Sequence, residues 1–276
     1  MNLSYTELRR DLAAILSRFI PPREAQAESW RWLEEGIGKD RTWLISHGEE
    51  HVSEDVRVQI GHWLRQRREG MPWVYLLGWV MFGGRRFEVS RDTLIPRPET
   101  ELLVEAALDI GRRLGIHGAV DVGTGTGIIA ISLALESPWK ITATDLSDAA
   151  LAVAQKNAKA LGATLTFVQG DLLAPMPDPV GLVVSNPPYV ALEESGSLQR
   201  ELGFEPPIAL FSKDGGLYHA TEILRQAKER QAPACILEIG AGQGEELQQR
   251  AHGFGWKKVA VHQDLNGFDR ILVALG

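Results

Sequence analysis

The sequence contains few of the features that mark secreted, metal-binding or membrane proteins. Its 276 residues include one cysteine, Cys235, which excludes an internal disulfide framework and a cysteine-based zinc site and is typical of a reducing cytosol. No apolar stretch is long enough to span a membrane. The first residues place apolar side chains at helical spacing with charges between them, unlike a signal peptide. We therefore expect a cytoplasmic protein without a bound metal or a membrane partner.

The sequence also lacks an excess of basic residues. It has 29 Lys and Arg against 36 Asp and Glu, a net charge of −7, and its first 70 residues carry 11 basic and 12 acidic side chains. A protein that binds duplex nucleic acid usually presents a basic face. The charge balance therefore favours a small molecule or a protein as partner. We expect no stable nucleic-acid partner, although a local basic groove is compatible with this balance.

The pattern of residues changes along the chain and predicts three segments. The first 80 residues read mostly as helices and hold six of the eight tryptophans, most of which we expect in the core of a small bundle rather than on a docking surface. Next, Gly83 and Gly84 separate apolar and aromatic flanks, which predicts a β-hairpin. After Glu99 short apolar runs alternate with helical stretches. We predict a helical domain over 1–76, a hairpin linker over 77–98 and an α/β domain over 99–276.

The alternation in the third segment is typical of a doubly wound α/β sheet. Five short apolar runs, "GAVDVG", "KITATDL", "TLTFVQGD", "VGLVVSN" and "CILEIG", read as strands, and parallel strands buried on both faces have this apolar character. The last two runs, "KKVAVHQD" and "RILVALG", follow each other without a helix between them. We therefore predict a mostly parallel sheet that finishes with an antiparallel strand.

A glycine-rich turn links the first strand of this sheet to a helix. The sequence "VDVGTGTGIIAISLAL" places Gly123, Gly125 and Gly127 where the backbone must approach a ligand closely. The spacing is GxGxG, whereas a dinucleotide site favours GxGxxG, which weakens a nicotinamide reading. A second glycine run, "LEIGAGQGEE", has only 30 residues after it, and we interpret it as the fifth strand and a tight turn.

Acidic residues end the second and third strands. Asp145 ends the second, where a carboxylate can accept hydrogen bonds from both hydroxyls of a ribose. Asp171 ends the third, where it could accept from the exocyclic amine of an adenine. A helix N-cap is the competing interpretation for either residue alone. Because the ends of parallel strands share one edge, we expect both acids beside the glycine loop.

The fourth strand runs into Asn-Pro-Pro-Tyr, residues 186–189. The side-chain carbonyl of Asn186 and the backbone carbonyl of Pro187 can accept the two protons of a planar NH₂ group. The prolines make the turn rigid, and the ring of Tyr189 offers a flat face. A plain turn is the alternative, since all four residues tolerate turns. Its position after a buried strand favours a site that orients a planar nitrogen.

Together these motifs resemble those of a known family. The glycine loop, the two acids and Asn-Pro-Pro-Tyr are similar to class I S-adenosylmethionine-dependent methyltransferases that act on planar nitrogens. With "TLIPRPETE", "FEPPIAL" and "QDLNGFDR", the chain resembles the HemK/PrmC family, which methylates the glutamine of the GGQ motif in peptide-chain release factors. The resemblance runs from about Leu77 to the C-terminus and is only general before it.

The resemblance implies a class I Rossmann-like methyltransferase fold, S-adenosylmethionine as cofactor and S-adenosylhomocysteine as product. The substrate would be the glutamine N5 of a release factor, which the helical domain would help to dock. The implied cofactor contacts are Gly123, Thr124, Gly125, Thr126, Gly127, Asp145, Asp171, Leu172 and Asn186. The implied catalytic residues are Asn186, Pro187 and Tyr189. Substrate contacts would come from these three together with Pro188, Phe82, Arg97 and Glu99.

Several alternatives remain at this stage. Phe82 and Phe87 could pin the hairpin instead of touching a substrate, and the prolines around Arg97 could simply stiffen a connection. A ribosomal-protein glutamine is the nearest rival substrate, and a nucleic-acid nitrogen is a further one. A domain that binds a nucleotide without catalysis would keep the glycine loop. Such a domain has no need of the acceptor pair at Asn186 and Pro187.

Overall fold

The computed structural model of the protein describes residues 3–196 and 199–276. The chain divides into two compact units, one ending at Leu77 and the other running from Gly78 to Gly276. Across these described residues, every helix is too short or too polar to cross a lipid bilayer.

The first unit consists of five helices. They are α1 (Tyr5–Leu16), α2 (Pro22–Ile37), α3 (Arg41–Ser46), α4 (Glu54–Arg68) and α5 (Trp73–Leu77). Three of them begin at a polar residue whose side chain accepts a hydrogen bond from the first turn, namely Ser4, Asp40 and Ser53. Such caps satisfy backbone N–H groups that the helix itself leaves without a partner.

Tryptophans form the centre of this unit, as the sequence predicts for most of them. Trp32, Trp63 and Trp73 are buried. The rings of Trp32 and Trp73 stack at 5.0 Å, and Trp63 meets Trp73 edge-on at 5.2 Å. Trp30 is half-buried and lies between the guanidinium groups of Arg9 and Arg41. A small unit has few side chains from which to build a core, and large rings supply the apolar area that it needs.

A buried ion pair lies beside these rings. Arg67 of α4 donates to both carboxylate oxygens of Glu28 in α2, at 2.9 and 3.2 Å. The indole of Trp32 donates to the same carboxylate at 3.2 Å. Both charged side chains are at most a tenth exposed. Each charge therefore depends on the other, because neither is solvated by bulk water.

We predict that Arg67→Met lowers the free energy of unfolding of this unit by about 3–5 kcal/mol, because it leaves the Glu28 carboxylate buried without its counter-charge. The exposed pair of Arg10 and Asp11 provides the control, and Arg10→Met should cost about 1 kcal/mol or less. Urea unfolding followed by tryptophan fluorescence measures both. Equal losses in the two variants would contradict the prediction.

The second unit contains a large sheet with helices on both faces. Its strands are β1 (Trp79–Phe82), β2 (Arg85–Glu88), β3 (Gly118–Val122), β4 (Lys140–Asp145), β5 (Thr166–Gln169), β6 (Leu182–Ser185), β7 (Val190–Ala191), β8 (Phe211–Ser212), β9 (Ala234–Glu238), β10 (Lys258–Gln263) and β11 (Asp269–Leu275). Its helices are α6 (Thr100–Leu114), α7 (Ile128–Glu136), α8 (Asp148–Leu161), α9 (Pro207–Leu210), α10 (Tyr218–Glu229) and α11 (Gly244–Gly253). Two 3₁₀ turns cover Leu192–Gly196 and Arg200–Phe204.

Seven strands form the main sheet in the order β10-β11-β9-β6-β3-β4-β5. Neighbours from β9 to β5 pair in parallel, whereas β11 is antiparallel to both β9 and β10. The predicted mostly parallel sheet with an antiparallel final strand is confirmed. Because β3, β4, β5 and β6 run in one direction, the segments that follow them meet at a single edge.

A hairpin precedes the sheet and packs against it. β1 and β2 pair around Gly83 and Gly84, as predicted, and both Phe82 and Phe87 are buried in the main core. The side chain of Asn157 in α8 accepts from the backbone N–H of Glu88 at 2.7 Å and donates to its carbonyl at 2.9 Å. From Gly78 onwards the expected linker therefore belongs to the second unit.

Candidate active site

A pocket lies at the edge of the sheet where β3, β4, β5 and β6 end. It contains about 980 Å³ of empty space, counting the open mouth. The predicted residues that line it are Gly123, Thr124, Gly125, Thr126, Asp145, Asp171, Leu172, Asn186 and Pro188. Motifs that lie far apart in the sequence thus converge on one cavity.

The glycine loop forms the floor of this pocket. Gly123, Gly125 and Gly127 all have positive φ angles, 70°, 55° and 80°, which side chains other than glycine rarely adopt. A Cβ on Gly127 would also lie 2.8 Å from the Ile131 side chain and 3.0 Å from Ala154. The loop leads into the N-terminus of α7, whose first residues, Ile128 and Ile129, also line the cavity.

A buried carboxylate holds the loop from below. Asp121 in β3 is fully buried, and one of its oxygens accepts from the Thr124 hydroxyl at 2.6 Å and from the Ala130 N–H at 3.1 Å. Burial raises the pKa of Asp121 to about 7, even though these two hydrogen bonds favour the charged form. The carboxylate therefore fixes both the loop and the start of α7.

Asp145 braces the loop from the neighbouring strand. Its two oxygens accept from the N–H groups of Gly125 and Ser147, both at 2.9 Å. Ser147, rather than Asp145, caps α8, so the capping alternative for Asp145 is wrong. Each oxygen of the carboxylate keeps a second lone pair that can accept from a ligand hydroxyl.

The segment after β5 adds a strained residue to the wall. Asp171 lies beside Leu172, whose φ of 50° is unusual for a residue with a side chain. The Thr144 hydroxyl donates to the Leu172 carbonyl at 3.2 Å and helps to hold this conformation. Strained backbone of this kind is found preferentially at ligand sites.

Two distant segments cover the pocket and are joined by one residue. The first supplies residues 92–94 and Pro96, and the second supplies Ile208 and Ala209. Glu205 is buried; it accepts from the Ile95 N–H at 2.9 Å and from the Arg97 guanidinium at 2.5 Å. The buried carboxylate of Glu205 therefore links the "FEPPIAL" motif, to which it belongs, to the "LIPRPE" motif.

Asn186 brings an unsatisfied acceptor to the inner wall. Its Nδ2 donates to the Thr100 hydroxyl at 3.3 Å. Its Oδ1 is buried and has no hydrogen-bond partner among residues 3–196 and 199–276. A buried carbonyl without a partner is costly, so its presence in a pocket indicates a position where a ligand donates.

Other predicted residues lie around the pocket without lining it. Pro187 is buried, and Tyr189 is half-buried behind it. Burial, with a smaller contribution from the charge of Glu238, raises the pKa of Tyr189 above its usual value, so the phenol stays neutral. The Tyr189 carbonyl accepts from the side chain of Gln243 at 3.0 Å. The second glycine run, to which Gln243 belongs, therefore forms a turn, as predicted, and that turn supports Asn-Pro-Pro-Tyr.

The structure places three of the expected substrate contacts outside the pocket lining. Phe82 lies in the core against Phe87, Arg97 pairs with Glu205, and Glu99 immediately precedes α6. None of these three is among the residues that line the described pocket.

Sequence reasoning missed four polar residues that support the site. They are Thr100, Asp121, Glu205 and Glu238, and all are buried. Asp121 and Glu238 each interrupt a run of apolar strand residues, and a charge in such a run was the available signal. Glu205 lies in the "FEPPIAL" motif, but its partners lie 108 and 110 positions away in the sequence. No local pattern could pair them.

Comparison with known proteins agrees with this arrangement. Residues 98–205 match the Methyltransferase small domain family, and residues 7–78 match the PrmC N-terminal domain family. Among solved structures, the catalytic domain of hMettl16 in complex with the MAT2A 3′UTR hairpin 6 aligns with a TM-score of 0.59 at 16% identity, covering 68% of this chain and 74% of that one. The N-terminal domain of human METTL16 in complex with SAH aligns with a TM-score of 0.52 at 15% identity, covering 83% and 85%. The chain thus has the Rossmann-like fold of a methyltransferase.

Relatives with higher identity define the family. A release factor glutamine methyltransferase of Bordetella pertussis is 40% identical over 91% of this chain and 94% of its own length. One from Cereibacter sphaeroides is 39% identical over 91% of each chain. The protein belongs to the release factor glutamine methyltransferase family, as the resemblance of its motifs predicted.

The raised pKa of Asp121 predicts a pH-dependent stability. The unfolded carboxyl loses its proton near the ordinary value of 3.8, whereas the folded one loses it at about 7. The folded state therefore binds more protons between these values, and the contribution of Asp121 to the free energy of unfolding falls as pH rises through this window. An amide at this position does not titrate, so the stability of Asp121→Asn relative to the wild type should increase from about pH 5 to about pH 8. Urea unfolding followed by circular dichroism measures it; the same difference at both values would contradict the assignment.

Glu205 gives a second prediction. Glu205→Gln removes the charge that holds Arg97 and weakens the link between the two covering segments. We expect it to reduce the affinity for S-adenosylhomocysteine by about tenfold, as the loss of a charge-assisted hydrogen bond worth about 1.5–3 kcal/mol implies. Calorimetric titration measures the affinity, and Glu193→Gln, at an exposed position, is the control. An unchanged dissociation constant would show that the link does not shape the pocket.

Proposed function

We propose that the protein transfers a methyl group from S-adenosylmethionine to the N5 nitrogen of the glutamine in the GGQ motif of peptide-chain release factors. The observation that carries this proposal is the buried, unpartnered Oδ1 of Asn186 in a pocket floored by a glycine loop. Family membership supports the same substrate, since the relatives from Bordetella pertussis and Cereibacter sphaeroides are named for it.

The residues of the pocket fit the cofactor. The glycine loop allows close backbone approach to its polar tail, Asp145 can accept from a ribose, and Asp171 can accept from an amine of the base. S-adenosylmethionine supplies a methyl group that is already activated by its positive sulfur. The protein therefore needs to orient the acceptor nitrogen and to stabilise charge on it.

Asn-Pro-Pro-Tyr supplies that orientation. An amide nitrogen is a weak nucleophile because its lone pair is delocalised into the carbonyl. Asn186 Oδ1 accepts a hydrogen bond from one of its N–H groups and the Pro187 carbonyl accepts one from the other, which holds the NH₂ group in one orientation and favours positive charge on nitrogen. Tyr189, which remains an uncharged phenol, provides the face against which the amide lies. Arg97 and Glu99 act from the edge of this site, and Phe82 acts only through the packing of the hairpin.

A protein glutamine suits this site better than a nucleobase. The chain carries a net charge of −7, whereas affinity for nucleic acid comes largely from basic contacts with phosphates. The helical unit, residues 3–77, would contribute to docking the bulky substrate. Action in the cytoplasm follows from the proposal, because release factors work on ribosomes there.

The direct test incubates the protein with methyl-labelled S-adenosylmethionine and a release factor. We expect label on the GGQ glutamine and none on a release factor with the GGA sequence. Ribosomal proteins in a parallel reaction test the rival glutamine substrate, and RNA tests the nucleic-acid one. Label on either of these with none on the release factor would overturn the proposal.

Removing the acceptor tests the mechanism. We predict that Asn186→Ala binds S-adenosylhomocysteine but loses roughly 10²-fold or more in kcat, as deletion of a group that stabilises a transition state usually does. Asn266→Ala, in the exposed turn before β11, is the matched control and should keep full activity. A near-normal rate for Asn186→Ala would rule out the acceptor role.

A further inference from the structure

Three polar side chains from different elements form a chain that runs from the pocket wall into the core. Glu238 ends β9, Thr100 begins α6, and Asn186 follows β6. The Thr100 hydroxyl donates to Glu238 Oε2 at 2.8 Å, and Asn186 Nδ2 donates to Thr100 Oγ1 at 3.3 Å. Thr100 and Glu238 are 2% and 1% exposed, so their partners come from the protein.

The direction of these hydrogen bonds is set at the Glu238 end. Above its pKa of about 7 the Glu238 carboxylate is ionised and only accepts hydrogen bonds, and a threonine hydroxyl has a single proton to donate. Once that proton is given to Glu238, Thr100 Oγ1 can only accept from Asn186. The carboxamide of Asn186 must then turn its NH₂ towards Thr100 and its Oδ1 away from it.

We propose that Glu238 and Thr100 are positioning residues that determine which end of the Asn186 carboxamide faces the acceptor nitrogen of the substrate. The inference rests on the proposed function, because it concerns the atom that receives the substrate amide. A reversed carboxamide would present an NH₂ group to the NH₂ group of glutamine, and no hydrogen bond would form between two donors. With Oδ1 facing the pocket, Asn186 favours a ligand group that donates a hydrogen bond.

Charge balance alone does not account for Glu238. The charge of Arg270 in β11 acts on Glu238, but the described hydrogen bonds of its guanidinium go to the Asp264 carboxylate and to the Ile239 carbonyl, at 3.2 to 3.3 Å. Burial raises the pKa of Glu238 to about 7, and the nearby Glu99 adds to this effect, while Thr100, Arg270 and Asn186 oppose it. A carboxylate that is so costly to bury needs a role beyond packing.

The kinetic test compares four variants at saturating cofactor and release factor. Glu238→Met removes the acceptor and frees the Thr100 hydroxyl to donate to Asn186 Oδ1, so kcat should fall about 10- to 100-fold, the loss usual for a supporting residue behind a functional side chain. Thr100→Val should fall similarly, whereas Thr100→Ser keeps the hydroxyl and should stay within about threefold of the wild type. Because Glu238 does not line the pocket, Glu238→Met should bind S-adenosylhomocysteine normally.

The double variant separates positioning from general structural damage. Valine cannot donate to Asn186, so Glu238→Met combined with Thr100→Val should lose no more activity than the worse single variant. If the two substitutions caused independent structural defects, their fold-losses in kcat would multiply in the double variant. A kcat of Glu238→Met within twofold of the wild type, or equal activity of Thr100→Ser and Thr100→Val, would overturn the proposal.

A second readout does not depend on the substrate. In the wild type, the side-chain NH₂ protons of Asn186 should exchange slowly with solvent in NMR spectra, because they are bonded to Thr100. In Glu238→Met they should exchange faster, with the signal assigned by its loss in Asn186→Ala. Slow exchange in both proteins would contradict the inference. If exchange is slower in the wild type than in Glu238→Met, but the wild type does not methylate release factors, only the proposed function would be disproved.

Discussion

The carboxylate of Asp121 is the interaction on which the pocket depends. It lies in β3, an inner strand of the sheet, and binds both the glycine loop and the first turn of α7. A charged group in that position is expensive, since it has no bulk water around it. The structure offsets part of this cost with two hydrogen bonds and gains a fixed loop. Asp145 then attaches to a loop that is already held in place.

The site follows the same logic at Asn186, where one polar atom is left without a partner among the described residues. Folded proteins rarely leave a buried carbonyl unsatisfied, and functional sites are where such exceptions concentrate. The Thr100 hydroxyl and the Glu238 oxygen that support Asn186 are satisfied, while its Oδ1 is not. Asn186 thus holds an acceptor oxygen without a partner at a fixed point on the pocket wall.

Much of the architecture was predictable because it has a local cause. The alternation of apolar runs predicted the parallel sheet, the missing helix before "RILVALG" predicted the antiparallel strand, and Gly83-Gly84 predicted the hairpin. The glycine loop, both acids and Asn186 were found because each lies at, or within two residues of, the end of a strand. Pocket residues on other segments, such as Ile208 and His219, have no such marker.

The supporting residues were not predictable for a physical reason. The partners of Glu205, Glu238 and Asn157 lie from 69 to 138 positions away in the sequence, and the pairing of such residues depends on how the sheet is ordered. Phe82 shows the same limit, since the sequence allowed either a substrate contact or a role in pinning the hairpin, and only the structure places its ring in the core against Phe87. Residue type indicates what chemistry is possible, but burial decides which partner it meets.

The link from Glu205 to residues 95 and 97 bears on the order in which the protein can become active during synthesis. The glycine loop and the first covering segment leave the ribosome well before Glu205 does. Until Glu205 is in place, the first covering segment lacks the two hydrogen bonds that Ile95 and Arg97 donate to it. Ligand binding stabilises only states that bind, so a partly made chain gains little from the ligand. The complete pocket therefore forms only when the chain has been made at least as far as His219, which also lines it.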